Sequence, residues 1–118
     1  KAAAAAASFA AAADAAVAEG FVIRGACPAM DWLNGLVFER MGATVAGSPW
    51  YKSTWGTDRQ YIYHDPDCDG TGRAPRWIID PSEPDPEKTK DLDGDGRCNY
   101  HASSDYEGED GPPASGLW

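Results

Sequence analysis

Between residues 36 and 80, apolar and aromatic positions gather into four short runs: LVFERMG (36–42), WYKST (50–54), RQYIYHD (59–65) and RWIID (76–80). Each is rich in β-branched or aromatic side chains and too short for an amphipathic helix, so each reads as a strand. In the third run Tyr61 and Tyr63 alternate with Gln60, Ile62 and His64, a period of two that sets both tyrosines on one sheet face. Turn residues separate the runs, at Gly47-Ser48-Pro49, at Gly56-Thr57-Asp58 and in an Asp/Gly loop after Asp65. The first three runs lie too close together for crossover helices, which predicts antiparallel pairing. The expected fold is therefore mainly β: a small antiparallel meander of about four strands with long acidic Asp/Gly/Pro loops and one aromatic face packed on a partner layer.

The flanks read differently. GFVIRGACPAMDWLNG (20–35) is broken at Gly25, Pro28 and Asn34-Gly35. PSEPDPEKTK (81–90) has no large apolar side chain and reads as an extended surface loop. Leu117-Trp118 resembles the start of a further strand, as in a fragment of something longer. Residues 1–19 hold thirteen alanines, which predicts an Ala-rich helix ended by Gly20. Two other readings of that segment stand beside it: the remnant of a targeting segment, or placeholder letters for unassigned side chains. The organisation is then 1–19, followed by a β domain over 20–118 with acidic loops at 65–73 and 91–99.

Charge changes this picture. Residues 65–110 contain fourteen of the nineteen acidic side chains and five of the ten basic ones, so this segment carries the whole net charge of −9. Such a surface repels a phosphate backbone and excludes nucleic acid as a partner. It suits cations and basic protein surfaces.

Within that segment DPDCDG (65–70) is echoed by DLDGDG (91–96). Three carboxylates on alternate positions repel one another unless a cation sits among them, and the following glycine allows the chain to wrap round it. Asp65, Asp67, Asp69, Asp91, Asp93 and Asp95 are thus candidate calcium ligands, with Asn99 at loop position nine of the second run. Both runs resemble the first half of an EF-hand loop, and the calcium loops of dockerins and thrombospondin type-3 repeats. They depart from the EF-hand at position twelve, where Arg76 and Ala102 replace the bidentate glutamate, and Arg73 fills position nine of the first loop. The two loops pool ligands or borrow from Asp105, Glu107 or Asp110. Solvated Asp-Gly turns are the bland alternative.

Cys68 and Cys98 lie in or just after these loops, which predicts a disulfide between them and an oxidising compartment, with Cys27 left over. The same cysteines with His64 and His101 also have spacings compatible with tetrahedral zinc. Of the five tryptophans, Trp50 and Trp77 sit in strand runs and read as core, whereas Trp55 and Trp32 are candidate stacking platforms for a sugar ring. Catalytic motifs are missing: there is no G-x-S-x-G, no phosphate-cradling glycine loop and no H-E-x-x-H, and the chain reads as non-catalytic.

Residues 30–118 resemble a small β module of dinoflagellate and related algal proteins. The likeness rests on Asn34-Gly35, on Gly47 to Tyr51, on Tyr61-x-Tyr63 and on Trp77-Ile78-Ile79. The resemblance implies a structural or accessory subunit of a larger assembly, such as a peripheral subunit on the lumenal side of an algal photosystem. Its partners would be protein subunits with basic surfaces, its location the thylakoid lumen or the extracellular space, and membrane contact would come only through partners or the N-terminal helix. The alternatives are a secreted carbohydrate-binding module and a zinc-stabilised interaction domain.

Overall fold

The computed structural model describes residues 4–6, 20–53, 59–106, 108 and 111–113. Among the described residues seven strands form one antiparallel, curled sheet in which the strand order repeats the chain order. They are β1 (Ala4–Ala6), β2 (Gly20–Arg24), β3 (Val37–Ala43), β4 (Pro49–Ser53), β5 (Tyr61–Asp65), β6 (Arg76–Asp80) and β7 (Ala102–Ser104). The four expected runs are β3 to β6, displaced by no more than two residues at either end.

The expected count of four is too low. β2 carries only the apolar triplet Phe21-Val22-Ile23 before Gly25 turns the chain at φ +71°, so its period was too short to read. β7 has no apolar pattern; the edge of β6 recruits it, with Trp77 opposite Ser104 and Ile79 opposite Ala102. The expected Ala-rich helix is not supported either. Ala4–Ala6 is extended and pairs with β2, while the rest of residues 1–19 lies outside the described residues, as do Trp55, the Gly56-Thr57-Asp58 turn and Leu117-Trp118.

Both faces of the sheet are covered, which is why all five residues of β5 are buried. One face presents Phe21, Ile23, Phe38, Tyr51, Ile62, Trp77 and Ile79, and Leu33 covers it from the short 3-10 helix Pro28–Leu33, helped by Ala26, Met30 and Leu36. The other face presents Trp50, Tyr61, Tyr63 and Ile78. Its cover is the acidic loops themselves: Cys68, Leu92, Cys98 and Tyr100 pack onto these rings. Trp50 and Trp77 are core, as expected, and Trp32 is exposed.

The 81–90 segment is less free than its composition suggests. Pro84 is buried, Val45 N–H donates to the Pro86 carbonyl at 2.7 Å, and Asp85 N–H donates to the Leu92 carbonyl at 2.8 Å. It ties the acidic layer to the β3–β4 turn.

Candidate metal centre

Cys68 and Cys98 form a disulfide with a Cα–Cα distance of 5.1 Å, joining the two acidic loops. This bond fits an oxidising compartment. Among the described residues no helix is long and apolar enough to cross a membrane. The four residues with zinc spacing are not brought together. Both sulfurs are in the disulfide, His64 faces Trp77 on the opposite side of the sheet (ring centroids 5.3 Å apart), and His101 meets Trp32 at 4.9 Å.

The two Asp-x-Asp-x-Asp-Gly loops share a backbone device. Gly70 and Gly96 adopt φ of +78° and +69°, which a side chain would strain. Their carboxylates meet different fates.

In the first loop the oxygens are taken by the chain. Asp65, wholly buried, accepts Asp67 N–H at 3.0 Å and Leu92 N–H at 2.9 Å. Asp67 accepts the N–H groups of Gly70, Gly72 and Arg73 at 3.1, 2.7 and 3.0 Å. Asp69 accepts the Thr71 hydroxyl and N–H, and the Arg73 guanidinium at 3.1 Å. The Thr71 contacts foremost hold Asp69 down at about 2, whereas burial pushes Asp65 up in spite of its two backbone donors. Arg73, at loop position nine, is this loop's own cation.

In the second loop backbone donors also reach the carboxylates, with Gly96 N–H on Asp91 at 3.1 Å and Arg97 N–H on Asp95 at 2.8 Å, but here the oxygens also converge on one another. Asp91, Asp93 and Asp95 each offer a carboxylate oxygen, all within 4.8 Å of one another. Oxygens bound about 2.4 Å from one calcium ion can be no more than about 4.8 Å apart, so the spacing meets the limit for a shared ion. The first loop sets this arrangement: Asp91 N–H donates to the Asp67 carbonyl at 2.7 Å, and Asp65 holds the Leu92 N–H between Asp91 and Asp93.

A fourth carboxylate joins them from the sheet. Asp80, at the end of β6 and 2% exposed, accepts Ser82 N–H at 2.8 Å and the Tyr63 hydroxyl at 3.0 Å, and its side chain is hydrogen-bonded to that of Asp93. Burial, followed by repulsion from Asp95 and Asp80, pushes Asp93 up to about 7. Burial and the same carboxylate also raise the Tyr63 hydroxyl, which therefore stays protonated and donates. Sequence reasoning missed Asp80 because it reads as a strand end. The signal was there: alternation in RWIID puts Arg76, Ile78 and Asp80 on one face.

Asn99 lies beside Asp80, the fourth carboxylate. It is exposed and lines an open cavity of about 250 Å³ with Asp80, Pro81, Ser82, Tyr100 and His101. Asp105 is exposed, and Glu107 and Asp110 lie outside the described residues.

No protein family, curated protein or solved structure matches this chain. Fold and site therefore rest on its own residues.

A pH dependence follows from Asp93. Its folded value of about 7 lies above the ordinary value of 3.8, so between about pH 4 and 7 the folded chain holds a proton that the unfolded chain has lost. Stability from this group is fully present below about pH 4 and is lost as pH rises through 7. In chelator, the melting temperature is expected to be higher at pH 5 than at pH 8. Equal melting temperatures at the two pH values would mean that the carboxylates do not crowd one another.

Proposed function

We propose that this chain is a non-catalytic, calcium-binding structural subunit that docks through its acidic face onto a larger assembly. One observation carries the reading: carboxylate oxygens of Asp91, Asp93 and Asp95 converge within 4.8 Å, with Asp80 behind them, whereas in the first loop Asp69 is turned to Thr71 and Arg73. Hard, flexible oxygen donors of this kind favour calcium over softer metals. A bound ion would draw the remainder of its six to eight ligands from backbone carbonyls and water. The ion would supply charge neutralisation that fixes the loop against Trp50, Tyr61 and Tyr63, and no bond-making step is needed of it.

The disulfide supports an oxidising location, and the algal resemblance extends the proposal to a peripheral subunit on the lumenal side of a photosystem. Partners with basic surfaces complement the −9 of residues 65–110. The exposed Trp32 beside His101 favours a second reading, a secreted carbohydrate-binding module.

Thermal melts in chelator and in rising calcium test the first reading. Calcium at a hundredfold excess over its Kd stabilises by about 2.7 kcal/mol, or about 10 °C for a domain of this size. Asp93→Asn is expected to remove most of that gain. No shift with calcium in the unaltered protein would overturn the reading.

A further inference from the structure

The open cavity bounded by Asp80, Pro81, Ser82, Asn99, Tyr100 and His101 is a feature that the calcium reading leaves unused. None of these six is a lysine or arginine; Arg76 donates to the Tyr100 hydroxyl at 2.9 Å but does not line the cavity. Asp80 is part of the wall, and its carboxylate lies just behind the surface, bonded to Ser82 N–H and the Tyr63 hydroxyl and next to Asp93 and Asp95. Beyond His101 the aromatic surface continues onto Trp32, which is 41% exposed and stands edge-on to the imidazole. An anion has no counter-charge here. A neutral ligand could use the hydroxyl and amide groups but would gain nothing from the surrounding field.

We propose that this cavity receives one arginine side chain of a partner protein. A guanidinium is planar and permanently charged, its forked donors match carboxylate, hydroxyl and amide oxygens, and its face stacks on aromatic rings. Exposed Ser82 and Asn99 supply the oxygens, the carboxylates behind the wall supply the charge, and Tyr100 and His101 supply the ring surfaces. A volume of about 250 Å³ falls below the roughly 300–1,000 Å³ of pockets that take whole small molecules, and suits a single side chain. The inference rests on the docking reading and names its contact. It survives calcium binding, because the four carboxylates of Asp80, Asp91, Asp93 and Asp95 outweigh the two charges of the ion.

The test is titration of isotope-labelled protein with a capped Gly-Arg-Gly peptide, its citrulline analogue and methyl glucoside, in chelator and in calcium. The signals followed are the Trp32 indole and the His101 amide. Saturable shifts from the arginine peptide alone, weakening with salt, are the expected result. Ser82→Lys and Asn99→Lys place a like charge at exposed positions on the wall and should weaken binding on the order of tenfold or more. An equal response to citrulline, a response to the glucoside, or no response to any probe would overturn the proposal. A sample that takes calcium but not arginine sinks this inference alone, and the reverse result sinks only the calcium reading.

Discussion

Cys68→Ser with Cys98→Ser lowers the stability of the fold by about 3.5 kcal/mol, the loop-closure entropy of a cross-link spanning 30 residues. The bond acts chiefly on the unfolded chain, whose freedom it restricts. A native contribution adds to this, because Cys68 is 2% exposed and both cysteines pack on the Trp50, Tyr61 and Tyr63 face. For a domain of this size each kcal/mol moves the melting temperature by about 4 °C, so a fall of about 15 °C is expected. Reductant should bring the unaltered protein to the same point. If the double variant melts within a few degrees of the parent, the acidic layer is held by something other than this bond.

Asp65→Ala costs about 2–4 kcal/mol, because it strands one buried and one part-buried backbone donor, each worth about 1–3 kcal/mol when left unpaired. Those donors are Asp67 N–H in the first loop and Leu92 N–H in the second, so one carboxylate joins both loops to the end of β5. Asp65→Asn keeps one acceptor oxygen and should cost less, about 1–3 kcal/mol. Leu92 lies between Asp91 and Asp93, so freeing its N–H also loosens the spacing of the candidate ligands. Removing a supporting group of this kind typically weakens metal binding by about 10–100-fold. Denaturant melts and calcium titrations of the two variants measure these effects separately. A variant that loses stability but keeps full calcium affinity would show that the second loop holds its shape unaided.

The strands that could be read from the chain are those whose period of two runs for five residues or more between turn signals, β3 to β6. β2 stops after three apolar residues, and β7, Ala-Ser-Ser, is defined only by its neighbour. The disulfide was legible from the placement of two cysteines at matching loops. What covers the second sheet face was not, since its central apolar side chain, Leu92, stands between two aspartates and looks like loop. The unequal fate of the acidic loops was hidden for a related reason. It turns on three N–H groups that close over Asp67 and on Asp80 arriving from β6, contacts made by folding rather than by spacing.

The strand order that repeats the chain order bears on how the molecule is made. Every strand pairs with its neighbour in sequence, the longest connection being residues 81–101 between β6 and β7, so the sheet can zip strand by strand, a topology that favours rapid folding. The acidic layer cannot share that speed, because it docks only once the Trp50, Tyr61 and Tyr63 rings are aligned, and thiol oxidation takes seconds to hours. For that interval the newly made sheet shows bare aromatic rings to its surroundings, and protection from self-association is needed most there.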